Sequence, residues 1–359
     1  MTIPPEQQEA ARFLAGLAGG PPKETHVSAI FIGNDTVWKL KKAVHMPFLD
    51  FSTIGARHHF LKRELELNKP AAPGIYRDVV AVARRPDGTL GLGGGNAIEW
   101  VLRMAPVPEQ DFLDVMAARH ALSPKLLDQL GDCVAAYHER LSPVANHDNA
   151  GAMLRITEGN VRSALTAGLP AAAVEEWRRR MTAALEDRRA WLSERSASGY
   201  VRRCHGDLHM GNICLWQGMP VPFDALEFDE ALATIDVSYD LAFLLMDLDR
   251  RVSRAAANRV MNRYVARTGD AGATAGFPVF LSQRAMIRAH VLKAMKRDEV
   301  ASALLSAARA YLAPAASPLV IAIGGLQGTG KSTLARALAP DLGAAPGALV
   351  LRSDEIRKR

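Results

Sequence analysis

Asp207 and Asn212 stand five residues apart in the stretch His205-Gly206-Asp207-Leu208-His209-Met210-Gly211-Asn212, and Asp224 and Glu227 follow on the apolar run Val221 to Phe228. A carboxylate, an amide beyond it and a second acid further on form a set suited to phosphoryl transfer. The transition state of that reaction spreads negative charge over the transferred group and needs the attacking oxygen in line. One carboxylate must therefore face the acceptor hydroxyl, while an amide oxygen and another carboxylate, both hard oxygen donors, hold Mg2+. Asp207 suits the first task, and Asn212 and Asp224 the second. Alternation along a strand sends Asp224 and Glu227 to opposite faces, so only one of Asp224, Glu227 and Asp229 is expected at the metal.

The octet fits the kinase catalytic-loop pattern H-x-D-x-x-x-x-N. With Gly206 after His205 and His209 after Leu208, it resembles the aminoglycoside phosphotransferase family of small-molecule kinases. The run Ile235-Asp236-Val237-Ser238-Tyr239-Asp240-Leu241-Ala242-Phe243 resembles the structural segment that follows the metal-binding strand in that family. The resemblance implies an α+β, bilobal, protein-kinase-like fold with a small β-rich N-lobe and a helical C-lobe. It also implies His205 and Asp207 as catalytic residues, ATP and Mg2+ as cofactors, and a small-molecule acceptor. Two departures stand out. Met210 occupies a position where the family commonly has Pro, which should alter loop rigidity rather than chemistry. Sixteen positions separate Asp224 from Asp240, long for this fold.

The elements that would position this set lie on both sides of it. His26 to Ile32 and Thr36 to Lys42 read as a hairpin around Gly33-Asn34-Asp35. On its second strand Lys39 and Lys41 share a face while Lys42 points the other way. Either lysine can be the one that meets the phosphates; Lys39, between Trp38 and Leu40, is preferred. A helix over Ser52 to Asn68 carries Glu64 at its middle as the acid that pairs with that lysine, and Glu66 faces away from it. Strands follow at Val79 to Arg84 and Ala97 to Met104, with Gly91 to Gly95 as a flexible hairpin tip and Glu99 to Met104 as an adenine-receiving hinge. The N-lobe is thus expected over 1–104 and the C-lobe over 105–312. In the C-lobe, helices are expected over 110–119, 124–141, 149–167, 170–194, 236–250 and 255–267, with one long helix over 278–311. Arg284 and Arg288, one turn apart on that last helix, read as a solvated basic face rather than an anionic-acceptor pocket.

A composition shift follows the linker 313–318. Leu319 to Gly324 reads as a buried strand, Gly325-Leu326-Gln327-Gly328-Thr329-Gly330-Lys331-Ser332 satisfies G-x-x-x-x-G-K-[ST], and Thr333 to Leu338 is helical. Glycines let successive backbone N–H groups converge on phosphate oxygens at a helix N-terminus, with Lys331 adding charge and the Ser332 hydroxyl reaching Mg2+. Gly325, Gly328, Gly330, Lys331, Ser332 and Thr333 are therefore candidate nucleotide contacts, and 319–359 reads as the start of an α/β P-loop NTPase domain. Ala348 to Leu351 and Arg352-Ser353-Asp354 begin a second strand and helix that resemble gluconate- and adenylate-kinase-like P-loop kinases. The kinase-like domain followed by a P-loop domain resembles a bacterial two-domain family. Only two strands and one and a half helices of the second domain are present, so it is expected to be truncated or to pack on another body, and catalytically incompetent.

Composition fits this reading. The chain has 359 residues, 48% hydrophobic and 23% charged, with 44 basic against 38 acidic side chains and no block of like charge. A net +6 suits nucleotides, and the lack of a basic stripe interleaved with aromatics argues against nucleic acid. Cys133, Cys204 and Cys214 lack zinc spacing or a base partner and read as packing thiols in a reducing compartment. No apolar run reaches about 18 residues, so no signal peptide or membrane span is expected, and the location is expected to be cytoplasmic. Oligomeric state leaves no mark in the sequence. The rival from another class is a nucleotide-binding pseudokinase that regulates without transfer.

Overall fold

The computed structural model describes residues 2–46, 49–313 and 319–352. The chain forms two compact units, one of Met1–Phe112 with Asn212–Glu230, the other of Leu113–Gly211 with Ala231–Arg359.

In the first unit, helix α1 (Gln8–Ala18) precedes strands β1 (Lys23–Glu24), β2 (Ser28–Ile32) and β3 (Val37–Lys41). Helix α2 (Ile54–Asn68) and strands β4 (Tyr76–Arg84), β5 (Leu90–Leu92) and β6 (Asn96–Met104) complete an antiparallel sheet in the order β1-β2-β3-β6-β4-β5. Alternation along β3 sorts its side chains. Trp38 and Leu40 join Leu14 of α1, Phe31, Val82 and Val101 in one core cluster. Full burial of such side chains contributes roughly 1.5–3 kcal/mol each. Lys39 and Lys41 are left on the other face, toward α2. Helix α2 starts where the Thr53 hydroxyl accepts the Ala56 N–H at 3.1 Å, as the Ser-Thr cap predicted.

The hairpin Ile213–Trp216 with Met219–Pro222 belongs to this unit, because Cys214 packs with Leu61, Ile75, Tyr76 and Leu102. The expected division at 104/105 into two continuous lobes is corrected accordingly, since the chain returns to the first unit after the catalytic loop. The stretch expected as a hinge, Glu99 to Met104, falls within a strand. These residues lie inside β6, where Leu102 and Arg103 pair with both β3 and β4, while Glu99, Trp100 and Val101 pair with β4 alone. Glu99 is instead a buried hub, bonded by Arg57 Nε at 2.9 Å and by Gln7 Nε2 at 2.7 Å.

The second unit holds α3 (Leu113–Ala118), α4 (Pro124–Glu139), α5 (Asn149–Thr166), α6 (Ala171–Asp187) and α7 (Arg189–Ala197). After the catalytic loop come α8 (Val237–Arg251), α9 (Arg254–Thr268), α10 (Phe277–Ala294) and α11 (Asp298–Tyr311). The helix expected over 278–311 is therefore two helices, broken where Lys296 takes φ +60°. Arg195 ties α7 to the start of α8 and to the turn after α9, through Asp236 at 2.6 Å and Asp270 at 2.8 Å, with both acids buried. Replacing Arg195 by Met should destabilise the fold by about 3–5 kcal/mol, because two buried carboxylates lose their cation; chemical denaturation would measure it.

Beyond the second unit's helical core, α12 (Lys331–Leu338) follows the glycine loop as expected. The two strands expected at 319–324 and 348–351 are absent, and the start of an α/β P-loop sheet is not borne out among the described residues. A strand needs a neighbouring edge, and Leu319 and Val320 remain 74% and 93% exposed. The backbone of 348–350 instead bonds the side chains of α9: Asn258 and Asn262 donate to the Ala348 carbonyl at 3.0 and 3.2 Å, and the Val350 N–H donates to Asn262 Oδ1 at 2.7 Å. Residues 314–318 of the linker and the Ser353-Asp354 motif lie outside the described residues. No helix among the described residues is long and apolar enough to cross a membrane.

Candidate active site

In the first unit, the lysine pair on β3 meets the mid-helix acid of α2. Lys39 Nζ lies 2.7 Å from Glu64 Oε1 and Lys41 Nζ 2.8 Å from Glu64 Oε2. Lys42 points the other way and bonds Glu24 and the Thr25 carbonyl, both at 2.7 Å. Each member of the pair has a second acid: Asp224 lies 2.5 Å from Lys39, and Glu227 2.5 Å from Lys41. Burial alone would depress the Lys39 ammonium, but Asp224 and then Glu64 outweigh it and hold its pKa well above the ordinary value. Burial would likewise raise the Glu64 carboxyl, and the two lysines reverse that and draw it down. Glu227 is pushed up, first by its burial, although it faces Lys41.

Both Asp224 and Glu227 thus reach the lysine pair, and the expectation that they face opposite sides is corrected. The strand ends at Pro222, and Asp224 takes φ +61°, which breaks the alternation. Asp is among the residues that tolerate this left-handed region. Two side chains that sequence reasoning missed hold the turn. The Asp224 N–H donates to Tyr76 Oη at 3.0 Å, and the Ala225 N–H to Asn68 Oδ1 at 2.9 Å. Asn68 in turn donates to the Glu64 carbonyl, so the acid helix and the Asp224 turn share one support. Nothing in a lone Tyr or a helix-terminal Asn marks such a partner in advance.

In the second unit, buried Asp240 in the first turn of α8 organises the loop that carries Asp207. Its carboxylate accepts the N–H groups of His205 at 3.1 Å and Gly206 at 2.9 Å, and faces His138 Nε2 at 3.1 Å. Gly206 sits at φ +83°, the left-handed turn that aims the following Asp207. His209 Nδ1 accepts the Gly211 N–H at 3.0 Å, which leaves the proton on Nε2, 3.5 Å from Asp207 Oδ2. A Cβ on Gly211 would lie 2.9 Å from the His209 ring, so glycine is needed for this approach. Partial desolvation opposes ionisation of Asp207, whose side chain is still 41% exposed, yet His209, then His205 and Arg284, hold its carboxyl well below the usual carboxylate range.

His205 itself is buried, and its Nδ1 faces the Asp207 N–H at 3.3 Å. Its place is under the loop, as a support for the backbone. Met210 has an N–H that a proline would lack, and it donates to Asp247 at 3.1 Å. Arg284, expected on a solvated face, is 4% exposed and lies against this loop. Cys204 and Cys214 are buried and Cys133 is half-buried. Burial raises the thiols of Cys204 and Cys133, the latter to about 11, in keeping with packing roles.

The expected Mg2+ donors fit a hard cation by chemistry. Asn212 offers an amide oxygen and Asp224 a carboxylate with 40% of its side chain exposed, whereas Glu227 is 9% exposed and engaged by Lys41. At the glycine loop, Gly325, Gly328 and Gly330 all take positive φ, and Lys331 Nζ folds back onto the carbonyls of Gly325 and Leu326 at 2.6 and 2.5 Å. Ser332 and Thr333 follow in the first turn of α12.

A family profile described as the phosphotransferase enzyme family matches residues 80–275, more than half of the chain. Uncharacterized proteins of Mycobacterium tuberculosis and Mycobacterium bovis are 28% identical over 349 residues, which span 94% of this chain and 68% of theirs. Among solved structures, a choline kinase from Cryptosporidium parvum superposes with a TM-score of 0.51 at 10% identity, covering 80% of this chain and 87% of that one. A thermostable mutant of aminoglycoside phosphotransferase APH(4)-Ia gives 0.52 at 11% identity, with 84% and 98% covered. These two similarities speak for the fold: a β-sheet lobe and a helical lobe of the kinase-like kind.

Proposed function

Since the chain belongs to the phosphotransferase enzyme family, we propose that it transfers the terminal phosphoryl group of ATP to a hydroxyl of a small molecule. The single observation that carries this reading is the Asp207 loop, its backbone fixed by Asp240 and its carboxylate kept ionised beside His209. Asp207 accepts the proton of the attacking hydroxyl, and His205 acts from below as a support. Lys39, held by Glu64, neutralises phosphate oxygens. Asn212 and Asp224 would hold Mg2+, which when bound draws charge from the phosphate oxygens. Glu227 is assigned to Lys41 as its counter-ion rather than to the metal, because Asp224 is the more exposed of the two acids.

A further phosphate contact is proposed at Gly325, Gly328, Gly330, Lys331, Ser332 and Thr333. The left-handed glycines and the helix that starts at Lys331 support it. No sheet backs this loop among the described residues, so it is expected to bind without turnover. Lys331→Ala should accordingly leave ADP release unchanged, while turnover lost in that variant and kept in Asp207→Ala would reverse the assignment.

The experiment is a screen of aminoglycosides, sugars, amino alcohols and nucleosides for Mg2+-dependent ADP release, with Asp207→Ala as blank. Release with at least one acceptor is expected. The pseudokinase reading draws on the Lys39–Asp224 ion pair, which ties up the metal carboxylate. Nucleotide binding that is indifferent to Mg2+, with no release for any acceptor, would favour it.

A further inference from the structure

Arg284 is a buried cation that is only loosely paired with an acid. Its Nη2 has no hydrogen-bond partner, and the nearest carboxylate, Asp240, lies 3.8 Å away. Burying a guanidinium this way is costly unless its donors are spent on something. Two are spent on backbone carbonyls: Nε on Tyr239 at 3.2 Å and Nη1 on Gly206 at 3.1 Å. Its Cζ lies 3.8 Å from the centre of the Tyr239 ring and 4.7 Å from that of Phe243, so α8 supplies cation–π contacts to the group.

The Gly206 carbonyl belongs to the peptide that leads into Asp207. Asp240 already accepts the N–H on the other side of Gly206 and that of His205. The two peptide planes that flank a positive-φ glycine are therefore held by two different side chains, one from α8 and one from α10. Without the second, only the 3.3 Å contact of the Asp207 N–H with His205 Nδ1 restrains Gly206 ψ, and with it the direction of the Asp207 side chain.

We propose, resting on the phosphotransferase reading, that Arg284 is a positioning residue for transfer, which clamps the Gly206–Asp207 peptide so that Asp207 faces the acceptor. Lysine is a poor substitute, because a point charge on a flexible stem cannot serve two carbonyls in one plane and stack on a ring. The cation also favours the ionised form of Asp207.

The test uses the full chain with Arg284→Lys and Arg284→Met. Thermal melting, kcat and KM for ATP-dependent ADP release, and the Gly206 amide resonance are measured for each. A positioning role predicts a folded Arg284→Lys whose kcat falls about 10- to 100-fold, with KM for ATP within about twofold of the parent and a displaced Gly206 amide. A folded Arg284→Lys with parental kcat overturns the proposal. So does a loss in which kcat merely follows the folded fraction. Should Arg284→Met fail to fold, the lysine variant decides. If the parent itself releases no ADP with any acceptor, the transfer reading fails on its own. The clamp is then judged by the Gly206 amide alone, and an unmoved resonance in folded Arg284→Lys sinks it.

Discussion

Asp207→Asn is expected to lower kcat by about 10²–10⁴-fold, the usual worth of a positioned general base, or about 3–5 kcal/mol of barrier. The substitution keeps the shape of the side chain and removes only its ability to take a proton. Nucleotide affinity should stay within about twofold, since the lost interaction belongs to the transition state. A parallel fall in ATP affinity would move Asp207 from the chemistry to the binding of nucleotide. The environment of the carboxyl adds a pH prediction. His209, His205 and Arg284 hold Asp207 below the ordinary carboxylate range. Activity needs the ionised form, so any acid limb due to Asp207 must lie below that range. Replacing His209 by Gln should move that limb upward, because the largest favourable partner is gone; a pH–rate profile of the folded variant checks it.

The parts of this site that could be read in advance are those governed by simple periodicity. A strand places Lys39 and Lys41 on one face whatever surrounds them, and a helix facing that strand brings Glu64 to both. The spacing of Asp207 and Asn212 and the later Asp240 are likewise local facts of the chain. Periodicity fails where one residue leaves its regular region. Asp224 at φ +61° turns an apparent strand into a loop and lets Glu227 join the cluster, and Lys296 at φ +60° cuts one long helix into two. Neither is a glycine, so nothing in the sequence marks the break. Arg284 fails for another reason. A charge on a long helix is on average solvated, and only the packing of α8 against α10 shows that this one is buried against a backbone carbonyl.

The glycine loop shows the limit of motif reading from the opposite side. Its local conformation matches the pattern, with left-handed glycines and a helix from Lys331. The flanking strands do not form, because strand pairing is a property of neighbours rather than of the segment itself. Instead, the backbone near Ala348 is read by Asn258 and Asn262, one turn apart on α9. Two asparagines spaced by four residues carry no warning of such a role, since their amides can serve solvent equally well.

Glu64→Gln is expected to destabilise the first unit by about 3 kcal/mol, the lower end for one partner removed from a buried ion pair. Glu64 is fully buried and holds two ammonium groups, Lys39 and Lys41. Each lysine retains a further acid, Asp224 or Glu227, which is why the loss should not reach the upper end. The sign of the pH dependence follows from the lowered carboxyl of Glu64. A group whose folded value lies below its unfolded one contributes stability above the unfolded value, near 4.3 for a free glutamate side chain, and loses it as pH falls through the folded value. The gap between parent and variant in urea denaturation should therefore be constant from about pH 6 to 8 and close progressively below about pH 4.3. A gap that widened on acidification would mean that Glu64 is protonated in the folded protein, and that Lys39 and Lys41 are held by Asp224 and Glu227 alone.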